Sequence, residues 1–253
     1  MNDALNATAQ NYSAPENLLN DKVILVTGAG DGIGKAAALA YAAAGATVIL
    51  LGRTKVKLEA VYDEIEAAGS PRPSIVVMDF KTAQPDDYEN IGIQIEKEFG
   101  RLDGLLHNAG MLGHRAPLEQ YPVGSFMEVM HINVNAQFVL TRVLLPMLKQ
   151  SEAASILFTS SGVGRKGRAY WGAYAVSKFA TEGLMETLAD ELDNTPHRAN
   201  CINPGATRTN MRAAAYPGED PLALKTPEEI VPAYLFLMGA DSSDVNGESV
   251  DAQ

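Results

Sequence analysis

The feature that most constrains this chain is an alternation that runs from one end to the other. Short β-branched runs are separated by helical stretches, and no tight Asn-Gly hairpin joins any two of them. The runs are Val23–Val26, Thr47–Leu51, Ser74–Met78, Leu102–Leu106, Ser155–Phe158 and Arg198–Ile202. The helical stretches are Ile33–Ala44, Lys55–Ala68, Asp86–Phe99, Phe126–Lys149, Tyr174–Leu192 and Pro227–Met238. Strands joined through helices lie parallel, so the pattern predicts βαβ units and a sheet with helices on both faces. Gly45, Gly69 and Gly100 each follow a helical stretch, where a left-handed C-cap is expected. Pro227 opens the last helix, with Thr226 as its N-cap.

No repeat, low-complexity tract or linker divides the 253 residues. The expectation is a single domain over residues 19–253, preceded by an N-terminal arm, residues 1–18, whose Asn, Ala and Ser content reads as flexible. Residues 1–20 hold no Lys or Arg and no apolar block, which is not the make-up of a signal peptide. Ala36–Leu51 is uncharged but shorter than the roughly 20 residues of a membrane span, and Gly45 interrupts it. A helix followed by a buried strand accounts for it better. The formal net charge of -11 argues against a nucleic-acid or anionic-membrane partner. Cys201 is the only cysteine, so neither an intrachain disulfide nor a structural zinc site is expected, and a reducing cytoplasm fits.

The first run leads directly into Gly28-Ala-Gly-Asp31-Gly32-Ile33-Gly34 and then a helix. Glycines there let backbone N–H groups approach a pyrophosphate at the helix N-terminus, where the dipole favours negative charge. The spacing is Gly-x-x-x-Gly-x-Gly rather than Gly-x-Gly-x-x-Gly, and a tight turn without a ligand is the competing reading. The second run ends at Gly52-Arg53-Thr54, where an acidic residue would bind a ribose 2′-hydroxyl and an arginine suits a 2′-phosphate. NADP(H) is therefore favoured over NAD(H). Asp31 weakens that preference by adding negative charge near the phosphates. An ordinary solvated arginine is the alternative for Arg53.

Tyr174 and Lys178 are four residues apart in a helical stretch and share one face. An unperturbed tyrosine, with a pKa near 10, is a poor acid–base group at neutral pH. A neighbouring ammonium and a positive nicotinamide ring would both lower it. Tyr-x-x-x-Lys is common on helices and by itself reads as a surface pair. Ser161 changes the balance, because it follows the run Ser155–Phe158, and open α/β sheets bind ligands beyond the carboxyl ends of their strands.

Thr27–Gly34, His107-Asn108-Ala109-Gly110, Ser161 separated by twelve residues from Tyr174-x-x-x-Lys178, and Asn203-Pro204-Gly205 follow one another in a family's order and spacing. Over residues 19–250 the chain resembles the short-chain dehydrogenases/reductases. Arg168–Tyr174, Asn133-Val-Asn135 and Asp251–Gln253 make it most similar to the bacterial YciK-like subgroup. The resemblance implies a single-domain Rossmann fold: α/β, with a doubly wound parallel sheet of about seven strands and helices on both faces. It implies Tyr174 as general acid/base, Ser161 as the group that polarises the substrate oxygen, and Lys178 as ribose ligand and modulator of the tyrosine. Asn133, rather than Asn135, matches the asparagine that holds a proton-relay water. Cofactor contacts are implied for Gly28, Asp31, Gly32, Ile33, Gly34, Arg53, Asp79, Phe80, Asn108, Ala109, Gly110, Tyr174, Lys178, Pro204, Gly205, Thr207 and Thr209. Homodimers or homotetramers are usual in the family. Tyr170 and Ser160 fall outside the spacing. The chain departs from the family at His107, where an asparagine is usual, and at Asp251-Ala-Gln253, where many relatives end Asp-Gly-Gly.

Arg165-Lys-Gly-Arg168 reads either as a cationic rim for an anionic substrate or as a solvated loop, the latter preferred; His114 and Arg115 could line the same mouth. No His/Asp/Glu spacing suggests a metal. Ser161 lacks the Gly-x-Ser-x-Gly context of an acyl-transfer nucleophile. The expected activity is hydride transfer between NADP(H) and a small carbonyl or alcohol substrate. The alternative is a non-catalytic nucleotide-binding sensor or partner-binding protein on the same fold.

Overall fold

Every strand pair in the computed structural model, which describes residues 2–253, is parallel. The chain runs through α1 (Asn2–Gln10), β1 (Val23–Thr27), α2 (Gly32–Ala43), β2 (Thr47–Gly52), α3 (Lys55–Ala67) and β3 (Ser74–Val77). It continues through α4 (Pro85–Phe99), β4 (Gly104–His107), α5 (Val123–Met130), a π-helical turn (His131–Asn135), α6 (Ala136–Leu148) and β5 (Ser155–Thr159). It closes with α7 (Gly172–Glu191), β6 (Arg198–Asn203), α8 (Asn210–Ala215), α9 (Val231–Met238) and β7 (Ser249–Asp251). The seven strands lie in the order β3-β2-β1-β4-β5-β6-β7. Strand order reverses between β1 and β4, so the connections on either side diverge and leave a crevice beyond the carboxyl ends.

Both faces of the sheet are covered, which is why β1, β2, β4 and β5 are mostly apolar rather than alternating. In β1, Ile24 and Val26 face a core shared with α2, α3 and α9, while Val23 and Leu25 face one shared with α4, α6 and α7. Gly45, Gly69 and Gly100 have φ of +99°, +72° and +72°, the left-handed geometry expected where helices end. No helix among the described residues is long and apolar enough to cross a membrane.

Three local expectations are corrected. The segment read as a flexible arm contains α1, docked along β7 (Met1 lies outside the described residues). Asn6 Oδ1 accepts from the Asp251 N–H at 2.8 Å, Gln10 Nε2 donates to the Asp251 carbonyl at 3.0 Å, and Ala9 is fully buried. Side-chain amides here satisfy the edge of a strand, a role that hydrophobicity does not reveal. The stretch Phe126–Lys149 is helical but not α-helical throughout: the Ala136 N–H reaches back five residues to His131, and a π turn lies between α5 and α6. Finally, Thr226 does not cap through its side chain. Its N–H donates to Glu229 Oε2 at 2.7 Å, and a short 3₁₀ turn, Glu228–Ile230, precedes α9.

Candidate active site

β1 ends at Thr27, whose hydroxyl ties the ends of two strands together. It donates to the Leu106 carbonyl at 3.2 Å and accepts from the N–H groups of Asn108 and Ala109 at 2.9 and 3.0 Å. The loop that follows requires glycine. Gly28 has φ +68°, and a Cβ on Gly34 would stand 2.3 Å from the Gly28 carbonyl and 2.6 Å from Asn108 Nδ2. Asp31 caps α2 by accepting from the Gly32 N–H at 2.8 Å. The glycine loop and the N-terminus of α2 face the cleft, with the Asp31 carboxylate taking one of the first N–H groups.

This cradle is one end of a cleft of about 560 Å³. Of the residues expected to act in catalysis or hold the cofactor, all but Gly34 and Asn133 line it; His114, Arg115, Arg165 and Arg168 are not among its lining residues. Gly34 lies behind the loop it allows to close. Asn133 is fully buried in the π turn and holds the wall together. Its Oδ1 accepts from the Met111 N–H at 2.8 Å, and its Nδ2 donates to the Met111 carbonyl and to Ser177 Oγ, both at 3.0 Å. Asn135 is exposed. Asp79 accepts from the Lys81 N–H at 3.0 Å, and Phe80 stacks on Tyr88 with centroids 5.9 Å apart. Thr207 donates to the Pro204 carbonyl at 2.9 Å, and Thr209 caps α8 by accepting from the Arg212 N–H at 3.1 Å.

At the adenosine end, Arg53 is exposed and lines the cleft. The sequence reading missed Lys57, one helical turn further along α3. It pairs with Asp31 at 2.6 Å, so the Asp31 charge that counted against a 2′-phosphate is met by a cation. Asn210 Nδ2 also donates to Asp31, at 3.1 Å. The signal was present as a lysine four residues after Arg53, but only the fold brings it to the loop.

At the other end, α7 presents Tyr174 and Lys178 beneath the end of β5. Lys178 is 4% exposed and donates to the Thr159 carbonyl at 2.6 Å; its ammonium lies 5.5 Å from the Tyr174 ring centroid. Ser161 follows β5 at the same level of the cleft. Burial, not charge pairing, dominates the ionisation. It pushes the Tyr174 phenol up to about 12, opposed by the neighbouring Ser161 hydroxyl, and pushes Lys178 down to about 8. The expected lowering of Tyr174 by Lys178 is therefore not a property of the protein alone. Trp171, the only tryptophan, lines the cleft with its centroid 5.7 Å from that of Tyr174. Ser160 turns away to Glu182, and Tyr170 is 56% exposed.

The sequence-family model for short chain dehydrogenases matches residues 22–220. The chain belongs to the short chain dehydrogenase family. It is 52% identical over 242 residues to the protein named uncharacterized oxidoreductase YciK of Escherichia coli (strain K12), covering 96% of each. A protein of Pseudomonas syringae, described as a short chain dehydrogenase, superposes with a TM-score of 0.95 at 62% identity, covering 96% of this chain and 99% of that one. A protein of Escherichia coli CFT073, described likewise and solved with NADPH, superposes with a TM-score of 0.92 at 53% identity, covering 94% of this chain and 100% of that one. The chain is accordingly an NAD(P)-dependent oxidoreductase of this family, similar to the YciK group that its own motifs indicated.

Proposed function

We propose that this dehydrogenase transfers a hydride between NADP(H) and a carbonyl/alcohol substrate, with Tyr174 as general acid/base. One observation carries the reading: the glycine cradle and the Ser161–Tyr174–Lys178 group line one cleft at the sheet's reversal point. The residues fit a dinucleotide, since Gly34 lets the glycine loop close against Gly28 and Asn108, and Arg53 and Lys57 supply cations along the same cleft. Gly28, Gly32 and Ile33 would receive the pyrophosphate, Arg53 and Lys57 the 2′-phosphate, and Asp79 and Phe80 the adenine. Asn108, Ala109 and Gly110 floor the cleft, and Pro204, Gly205, Thr207 and Thr209 flank the nicotinamide end. When bound, the nicotinamide exchanges the hydride and, oxidised, adds a positive charge beside the Tyr174 phenol. Ser161 orients the substrate oxygen, Tyr174 moves its proton, and Lys178 holds the ribose while favouring phenolate. The Asn133 side chain is committed to Met111 and Ser177, so a water at this turn would use its main-chain carbonyl. The NADPH complex of the Escherichia coli CFT073 protein supports the choice of cofactor. A buried free thiol at Cys201 fits a cytoplasmic setting.

A panel of aldehydes and ketones, followed by NADPH and NADH absorbance, tests this reading. Consumption of NADPH in preference to NADH is expected. Arg53→Ala should weaken NADPH about tenfold and leave NADH unchanged, the low end for an exposed charge-assisted contact. Tight NADPH binding with no consumption across the panel would favour the nucleotide-binding alternative.

A further inference from the structure

The loop after β4 and the loop before α7 each bring an exposed arginine to the rim of the cleft, against aromatic rings beside its substrate end. The Arg115 guanidinium lies over two neighbouring aromatic rings, 5.0 Å from the Trp171 centroid and 4.9 Å from that of Tyr216. One of its N–H groups donates to the Ala215 carbonyl at the end of α8. Arg168 Nη1 donates to the Tyr216 hydroxyl at 3.0 Å. The neighbouring basic residues are paired with carboxylates: Arg165 with Asp251 at 2.7 Å, and Arg212, which also lies 4.0 Å over the Tyr216 ring, with Glu219 at 2.6 Å. Among the described residues, neither Arg115 nor Arg168 forms an ion pair with a carboxylate. In a chain of net charge -11, with 31 carboxylates against 20 cations, two unpaired guanidiniums converging on one tyrosine are not the average surface.

Their position relative to the reacting group gives this meaning. Trp171 touches both Tyr174 and Arg115, so the guanidinium sits one ring beyond the phenol. The wall between is apolar, formed by Trp171, Leu112, Met211 and Ala215. The two rings and the Ala215 carbonyl hold the Arg115 guanidinium in place before any ligand arrives, which lowers the entropic cost of using its remaining donors. A planar fork of N–H groups matches a carboxylate, to which it can donate in parallel.

We propose that the cleft is built for an oxo acid, or the matching hydroxy acid. Its reacting carbon lies at Ser161 and Tyr174, its apolar spacer against Trp171, and its carboxylate on Arg115 with Arg168 beside it. The assignment rests on the oxidoreductase reading above for the reaction, and on the arginines alone for the anion. The basic run Arg165–Arg168 thus divides: its first arginine belongs to the β7 edge, and its last belongs to the substrate mouth.

The test uses the full-length protein with saturating NADP+ and reads the fluorescence of Trp171 while phenylacetate or the neutral isostere phenylacetamide is added. The carboxylate should bind about tenfold tighter or more than the amide, as expected for a hydrogen bond to a charged group. That advantage should shrink as salt is raised. Arg115→Met should reduce the preference to near unity and Arg168→Met should reduce it in part, while NADP+ titrations of both variants stay at the wild-type value and show that the fold is intact. Equal binding of acid and amide, no binding of either, or a preference that survives in both variants would overturn the assignment. Failure of the reductase reading registers differently: no carbonyl compound would consume NADPH, yet the acid–amide difference would persist.

Discussion

His107 stacks on Phe158 with centroids 4.8 Å apart, shares its Nε2 with the Thr141 hydroxyl at 2.8 Å, and leaves Nδ1 without a partner. Burial holds its pKa down at about 3, so the imidazole is neutral throughout the working range of the enzyme. The departure from the family's usual asparagine therefore places no charge beneath the cleft. It does place a linkage there. A folded-state pKa below the unfolded value of about 6.5 means that only the unfolded chain takes up this proton between those values. Stability is complete above about 6.5 and falls by about 1.4 kcal/mol per pH unit as pH drops towards about 3. Urea titrations at about pH 7 and pH 5 should show a loss about 2 kcal/mol larger for the wild type than for His107→Asn. Equal losses would mean that His107 is protonated in the fold. At this scale the sequence disclosed the residues tied to one another by fixed spacing, Ser161, Tyr174 and Lys178. It concealed Lys57, because its partner Asp31 comes from another part of the chain.

The strands and most helices were legible because burial on both faces makes parallel strands apolar and because glycine marks the helix ends. The elements that escaped owe their form to tertiary contacts. The π turn exists around Asn133, whose amide bridges the loop after β4 and α7, and a helical hydrophobic pattern does not register one extra residue. α1 escaped because it is mostly polar and is held by amide contacts to β7. Tyr12, just beyond it, packs edge-on against Phe236 at 5.3 Å and donates to Asp241 at 2.7 Å. Removing residues 2–12 should therefore cost about 2–4 kcal/mol, from two edge hydrogen bonds and the apolar area of Leu5, Ala9 and Tyr12. Urea unfolding reads this directly. A truncated chain as stable as the full one would return the segment to the status of an arm.

Viewed as a whole molecule, the sheet's reversal point gathers two chemistries that the sequence lists separately, a phosphate cradle from residues 27–34 and a proton-transfer group from residues 161–178. The surface that remains after folding points to assembly. Val123 and Met127 on α5, Phe138 on α6, and Val176 and Phe179 on α7 are 44–78% exposed, an apolar stretch that one subunit leaves uncovered. We infer a homodimer or homotetramer through these helices. Sedimentation at micromolar concentration should find at least a dimer, and Phe179→Glu should shift it towards monomer; a wild-type monomer would refute the inference. The central claim is that the two ends of the cleft act together, with Tyr174 moving the proton. The most direct measurement is turnover by Tyr174→Phe on whichever carbonyl compound the wild type reduces, alongside NADPH titration of the same variant. The account predicts unchanged NADPH affinity and a rate lowered by about 10²–10⁴, the usual contribution of general acid–base catalysis. Near-wild-type turnover by Tyr174→Phe would contradict it.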